Sequence, residues 1–297
     1  MLSPDLQHTL AAPARFSGIG VHTGAEARVV IRPAAPGAGV VFVRTDVTDR
    51  DNRVPARADA VCGTRLGTVI GNRAGVTVAT VEHLMATFCA LGIDNATVEI
   101  GGPEVPILDG SAAGFIASLD RADRRTQQAP RRYLEILDPI EVADGGKRAR
   151  LTPAEGFEVA CEILFDSPAI GRQRVELAFE EAVFRDQLAD CRTFGFLEDV
   201  EALRAVGLGR GGGLDNVIVI DDGKVINPEG LRRPDECVRH KALDAVGDLY
   251  LLGAPLIGRY EGIRAGHGLN NALARTLLAR PRAWRLAPLR HEMARAI

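Results

Sequence analysis

Apolar positions keep a helical rhythm most clearly between Pro234 and Gly253. There Val238, Ala242, Ala245, Leu249 and Leu252 form one stripe at 3.6-residue spacing. Pro234, Asp235 and Glu236 suit the first turn and Gly253 the end, so the pattern predicts a helix. A second helix is predicted over 80–92, with Thr80 as N-cap, Leu84, Phe88 and Leu91 facing inward, and Gly92 just past the end. Further helices are read at 111–119, capped by Asp109 or Ser111, at 197–205, and from the 262–271 segment through Leu278. Alternating or continuous β-rich runs predict strands at 27–31, 40–43, 76–78, 96–100, 134–136, 148–151, 157–165 and 217–220. Each half therefore runs strands first and helices after. The polar stretch 120–132, with Gln127, Gln128 and Pro130, reads as a linker and divides the chain into domains at 1–126 and 131–297.

Composition narrows the field only a little. At 297 residues, 46% hydrophobic and 25% charged, the chain has the make-up of a soluble protein with room for one large or two medium cores. A net charge of -3 argues against a nucleic-acid binder held by a general basic field. Five single cysteines, with no paired spacing, suit a reducing cytoplasm and neither a disulfide framework nor a cysteine metal site. No signal peptide and no membrane-spanning run are read, so no integral membrane segment is expected.

Chemistry-bearing residues change the picture more. His240, Asp244 and Asp248 recur at i, i+4 and i+8 on the side of the 234–253 helix roughly opposite its apolar stripe. An imidazole and a carboxylate one turn apart can reach the same divalent metal. The alternative is a solvated polar face, and two ligands leave a third to be found. Glu82 and His83 open the 80–92 helix at the end of a strand, where adjacent residues diverge by about 100°; that suits one ligand and one base, or merely a dipole-complementing charge. His267 stands between Gly266 and Gly268, open to a ligand or to water, and His22 lies in what reads as a glycine-rich loop, 17–24. The glycine run 207–213 lacks both the Lys-Ser/Thr of a P-loop and dinucleotide spacing.

Four segments in order, Thr80-Val81-Glu82-His83-Leu84, Cys191-Arg192-Thr193-Phe194-Gly195-Phe196, Arg239-His240-Lys241-Ala242-Leu243-Asp244 and Gly266-His267-Gly268-Leu269-Asn270-Asn271, carry a resemblance. With 17–24, 92–95 and 106–113, the chain from about residue 5 to 285 resembles the zinc-dependent UDP-3-O-acyl-N-acetylglucosamine deacetylases of lipid A biosynthesis. The resemblance implies an α+β fold: two similar two-layer domains, each with a small insert, their helices packed between the sheets. It implies zinc held by His83, His240 and Asp244, Glu82 as general base, His267 as second acid-base residue, Asp248 supporting His267, and Thr193 helping to hold the oxyanion. Lys241, Arg264 and Lys147 are expected at the substrate diphosphate, Phe165 against uracil, and His22 and Phe194 at the substrate as well. The second insert, within about 191–226, is expected to wall a passage for the acyl chain. Gly212 and Val217 line it, and period-two alternation puts Val217 and Val219 on one face.

One departure concerns 61–68, where Arg65 and Gly67 stand in place of more apolar or thiol side chains. The partner implied is a small molecule, an acylated UDP-sugar. A monomer in the cytoplasm is expected. Two rivals are kept: a zinc amidohydrolase for another acylated sugar nucleotide, and a non-catalytic nucleotide-sugar-binding scaffold.

Overall fold

A computed structural model describes residues 3–289; the outermost ends of the two expected domains, 1–2 and 290–297, lie outside these residues. Six α-helices, α1 (Glu82–Leu91), α2 (Ala113–Ala122), α3 (Glu181–Gln187), α4 (Val200–Ala205), α5 (Glu236–Tyr250) and α6 (His267–Leu278), accompany two large sheets and three small ones. The first large sheet has five strands in the order Ala14–Ile19, Glu26–Pro33, Ala96–Gly101, Val40–Arg44, Arg53–Pro55. The second has seven and is built around Leu256–Ile263, which pairs antiparallel with Lys147–Thr152 and parallel with Phe157–Leu164 and Tyr133–Ile136. Each half also carries a three-stranded sheet set apart from its large one: Val61–Gly63, Val69–Gly71 and Thr77–Val78 in the first, Phe194–Phe196, Ile218–Asp221 and Lys224–Val225 in the second.

Two apolar cores lie beneath the large sheets, and the helices run between them. Under the first sheet, Val29, Ile31, Phe42, Val98 and Ile100 pack with Leu84, Phe88 and Leu91 of α1 and Phe115 and Leu119 of α2. Under the second, Leu134, Leu151, Val159 and Cys161 pack with Val238, Ala242, Ala245 and Leu249 of α5 and Leu273 and Leu277 of α6. Ala86 and Ala90, on the small-residue face of α1, belong to this second core. Large residues on one side of α1 and alanines on the other let it serve both layers. The chain is α+β, sheets layered with helices, as the resemblance implied.

α1 and α5 meet backbone to backbone. A Cβ on Gly247 would stand 1.9 Å from the carbonyl oxygen of Glu82, so only glycine lets α5 reach the first turn of α1.

Several expectations need correction. Most of the expected linker is ordered structure: residues 120–122 end α2, and Arg124–Pro130 is a strand paired antiparallel with Leu6–Leu10. Its polarity has a structural use, since buried Gln127 accepts from Asn95 Nδ2 at 2.8 Å and donates to the Ala34 carbonyl at 2.8 Å. The first part of the segment 17–24 belongs to the strand Ala14–Ile19 and is not loop. Thr80 does not cap α1: its backbone is left-handed, with φ 57°, and its hydroxyl donates to Glu104 at 2.8 Å. α5 ends at Tyr250, before Gly253, and both its faces are buried, so His240, Asp244 and Asp248 do not lie on a solvated side.

Candidate metal centre and acid-base cluster

Strand-to-helix turns and one buried helix bring the chemistry together. Glu82 and His83 form the first turn of α1, His240, Asp244 and Asp248 occupy successive turns of α5, and His267 opens α6. All six are buried, His267 at 7% exposure included. This corrects the expectation that flanking glycines leave His267 uncovered. Gly268 sits instead against the first insert, the small sheet of Val61–Gly63, Val69–Gly71 and Thr77–Val78 with its loops, a Cβ there lying 3.5 Å from Thr64 Oγ1.

His83 Nε2 stands 3.3 Å and His240 Nε2 3.4 Å from one oxygen, Asp244 Oδ1. The two imidazoles meet edge to face, with centroids 4.9 Å apart. That buried Oδ1 has no hydrogen-bond partner among the described residues. Donors on a tetrahedral ion with bonds of about 2.0–2.1 Å are about 3.3 Å apart, so both spacings fit a shared metal. The His240 Nδ1–H donates to the Cys191 carbonyl at 3.0 Å, which leaves the Nε2 lone pair directed at the site. Burial pushes the His240 pKa down to about 3 against the opposing charge of Asp244, so this imidazole is neutral, as a ligand must be. Burial pushes Asp244 up, but the imidazoles and the Lys241 ammonium outweigh it and hold the carboxyl well below the usual range. Lys241 Nζ donates to Asp244 Oδ2 at 2.6 Å.

Glu82 and His267 flank this group. The Thr68 backbone N–H donates to Glu82 Oε2 at 2.9 Å, while Oε1 lies 3.9 Å from His267 Nε2. Burial pushes the Glu82 carboxyl above its ordinary range. His267 Nδ1 donates to Asp248 Oδ2 at 2.9 Å, and its Nε2 is 3.8 Å from Asp244 Oδ2. Burial alone would lower its pKa, but Asp248, Glu82 and Asp244 outweigh it and raise it to about 9. Asp248 Oδ2 also accepts from Asn270 Nδ2 at 2.9 Å, and Oδ1 accepts from Thr68 Oγ1 at 2.5 Å. Glu82, Asp244 and His267 form a second set within metal-binding distance. Among the described residues, His83, His240 and Asp244 are the set in which two imidazole nitrogens converge on one carboxylate oxygen, whereas His267 and Glu82 are engaged by Asp248 and Thr68.

The remaining expected residues fall into three places. Lys241 Nζ lies 5.6 Å over the Phe194 ring, which meets Phe165 edge-on at 5.5 Å, so these three are contiguous with the cluster. Thr193 is half-buried, donating its N–H to the Gly110 carbonyl at 2.9 Å, two residues beyond the Cys191 carbonyl that holds His240. His22 faces Glu82 across Gly67: a Cβ on Gly67 would lie 3.0 Å from Glu82 Oε1 and 3.4 Å from His22 Nε2. Gly212 neighbours Val217 and Val21, its Cβ position 3.6 Å and 3.8 Å from their methyls, and the Gly211 N–H donates to the Val21 carbonyl at 3.0 Å. Val217 and Val219 are both half-buried, on the opposite face from buried Ile218 and Ile220. Lys147 and Arg264 stand apart at neighbouring positions of one ladder, where Arg148 pairs with Ile263; neither donates a hydrogen bond to the cluster among the described residues. Lys147 lines a cleft of about 430 Å³ with Arg148 and Ile263.

Sequence reasoning did not single out Thr68, the Cys191 carbonyl, or Glu104. Glu104 is fully buried and accepts from the His22 and Thr23 N–H groups at 3.0 and 2.8 Å, pinning the loop that carries His22. A buried-hub carboxylate has no local signature, although the adjacent Pro103 and Pro106 mark its loop as rigid.

Two imidazoles and a carboxylate about one point, with an acid-base pair beside them, make this a candidate metalloenzyme centre between two α+β layers. Comparison with known proteins takes the reading further. The profile of the UDP-3-O-acyl N-acetylglycosamine deacetylase family matches residues 7–279, and the chain belongs to that family. It is 65% identical over 291 residues to the UDP-3-O-acyl-N-acetylglucosamine deacetylase of Phenylobacterium zucineum (strain HLK1), covering 98% of this chain and 99% of that protein. The enzymes of the same name from Myxococcus xanthus (strain DK1622) and Neisseria meningitidis (strain FAM18) are 48% and 46% identical, over 96% and 92% of this chain and 90% of each relative.

Proposed function

We propose that this chain hydrolyses the N-acetyl amide of UDP-3-O-acyl-N-acetylglucosamine, releasing acetate and UDP-3-O-acyl-glucosamine, the committed step of lipid A biosynthesis. The observation that carries the reading is the convergence of His83 and His240 on Asp244 Oδ1 with Glu82 and His267 alongside, in a chain of this family. The donor set, two imidazoles and one carboxylate, suits zinc and leaves a coordination position open. His83, His240 and Asp244 would hold the ion. When bound, zinc supplies Lewis-acid polarisation of the acetyl carbonyl and makes a water acidic enough to attack near neutral pH.

The residues supply the proton movements. Glu82, held through Oε2 by Thr68, takes a proton from the attacking water. As the C–N bond breaks, His267, kept cationic by Asp248, protonates the departing glucosamine nitrogen, and its charge with the Thr193 hydroxyl steadies the developing oxyanion. Lys241, Arg264 and Lys147 neutralise the diphosphate, and Phe165 and Phe194 offer faces for the uracil. His22, Gly212 and Val217 border the acyl chain. We assign the two domains to 1–126, supplying Glu82 and His83, and 131–297, supplying His240, Asp244 and His267. The protein acts as a cytoplasmic monomer in this reading; among the described residues no helix is long and apolar enough to cross a membrane.

The test couples metal analysis to a deacetylation assay with UDP-3-O-acyl-N-acetylglucosamine. About one zinc per chain is expected, with turnover lost on chelation and restored by zinc. Chelation-insensitive turnover, or a metal-loaded protein inert on this substrate, overturns the reading.

A further inference from the structure

Thr68 hydrogen-bonds to both proton-transfer arms of the cluster, to Glu82 and to the Asp248 behind His267. It sits on the first insert, between Val61–Gly63 and Val69–Gly71, and is 1% exposed. Its backbone N–H donates to Glu82 Oε2 at 2.9 Å, its hydroxyl donates to Asp248 Oδ1 at 2.5 Å, and its carbonyl accepts from the Val81 N–H at 3.3 Å. Three bonds therefore tie the insert to α1 in the first half and to α5 in the second. A threonine serving only to fill space needs none of them.

The hydroxyl has a specific geometric consequence. Asp248 is buried, and its Oδ2 already accepts from His267 Nδ1 and Asn270 Nδ2, both at 2.9 Å. Oδ1 has Thr68 Oγ1 as its donor. With donors on both oxygens the carboxylate cannot rotate about its Cβ–Cγ bond, so Oδ2 stays in line with the His267 Nδ1–H. Without the hydroxyl, Oδ1 is left buried and unpaired, and the carboxylate gains by turning to share the donors on Oδ2. His267 is then no longer held where its Nε2 faces Glu82 at 3.9 Å.

We propose that Thr68 is a positioning residue for the hydrolytic reaction: its hydroxyl locks the Asp248 carboxylate behind His267 while its backbone N–H fixes Glu82, so that one loop residue sets the registry of acid and base. The proposal rests on the deacetylase reading above for its kinetic part only. Thr68→Val keeps shape and the backbone bond to Glu82 and deletes only the hydroxyl. It should lower kcat by about 10- to 100-fold, the scale for outer-shell partners, with KM, metal content and Tm near wild type. Thr68→Ser should restore most of the rate. In an Asp248→Asn background Thr68→Val should add no further loss, because its effect runs through Asp248.

A readout independent of turnover is the downfield imidazole N–H resonance of the His267–Asp248 bond, which should exchange faster in Thr68→Val and recover in Thr68→Ser. If Thr68→Val fails to fold, Thr68→Cys, of similar size with a weaker donor, takes its place. A kcat within two-fold of wild type, a loss that multiplies undiminished onto Asp248→Asn, or an unchanged resonance overturns the proposal. Inert wild-type protein in which the resonance still responds to Thr68→Val sinks the deacetylase reading and leaves the clamp standing.

Discussion

The contact at Gly247 gives the sharpest quantitative test of how the site is assembled. In isolation Gly247→Ala should help, since alanine is favoured over glycine inside a helix by about 1 kcal/mol. Here the added Cβ would stand 1.9 Å from the Glu82 carbonyl oxygen and 2.7 Å from its carbon, and real Cβ atoms essentially never come closer than 3.0 Å. The obstacle is backbone, so no side chain can swing away; α5 and the first turn of α1 must part by about 1 Å. Overpacking of this kind costs about 1–3 kcal/mol, which exceeds the propensity gain, so the net effect is destabilising. The catalytic effect should be larger. Glu82 and His83 sit on the displaced turn and His240 and Asp244 on the other helix, and misplacement by about 1 Å can cost about 10²-fold in rate. Thermal melting, zinc stoichiometry and kcat/KM would all be measured. A Gly247→Ala protein with higher Tm, full zinc and wild-type kcat/KM would refute the idea that this glycine sets the spacing of the two helices that carry the proposed ligands.

Three further outcomes are expected. His83→Ala, His240→Ala or Asp244→Ala should each weaken metal retention and abolish most activity; a variant that holds zinc as tightly as wild type is not missing a ligand. Glu82→Gln should keep the metal and lose about 10²–10⁴-fold in rate, whereas His267→Ala should also remove the alkaline limb of the activity profile. The sign for His267 follows from its raised pKa: in metal-free protein its contribution to stability is complete below the unfolded value of about 6.5 and is lost as pH climbs through about 9, so urea melts of wild type and His267→Ala should converge above that pH. Gly212→Phe should project into the space between Val21 and Val217 and raise KM for long-chain substrate with zinc unchanged. Each methylene contributes up to about 0.8 kcal/mol there, so wild-type KM values equal for long and short acyl chains contradict the passage.

Periodicity made α1, α5 and α6 legible because each buries a regularly spaced apolar face, whereas α3, which buries only Phe184, was not read. α1 ends at Gly92 as read, and α6 ends at Leu278 as read. What escaped was structure whose stability lies in distant pairing. Leu256–Ile263 is the hub of the second sheet, yet its sequence holds two glycines and three charged or phenolic side chains within eight residues. Gly258 has φ 157°, and a Cβ there would stand 2.6 Å from Ile136 Cγ1, so the residue that weakens the local strand signal is the one that admits the side chain of the neighbouring strand Tyr133–Ile136. Polar Arg124–Pro130 misled in the same way. Its partner lies at the other end of the first half, and only the ladder with Leu6–Leu10 turns a linker-like composition into a strand.

The site divides along the same line. His-x-x-x-Asp-x-x-x-Asp is a local pattern, because one helix carries all three side chains, and Glu82-His83 is local to a helix start; both could be named from spacing. Their convergence is not local. It depends on α1 crossing α5 at Gly247, on the Cys191 carbonyl fixing the His240 tautomer, and on Thr68 reaching from the insert to Asp248. Spacing left a solvated polar face open as the alternative for His240, Asp244 and Asp248, and their burial on α5 closes it. Burial and the charges packed into it give the cluster its chemistry: burial makes His240 neutral and pushes Glu82 upward toward basicity, while Asp248, Glu82 and Asp244 outweigh its downward pull on His267 and keep that residue protonated. On a solvated face the same residues would titrate near their ordinary values, and the acid and base would have no reason to differ in protonation. The layered fold therefore supplies the separation of roles, and the residue pattern supplies only the cast.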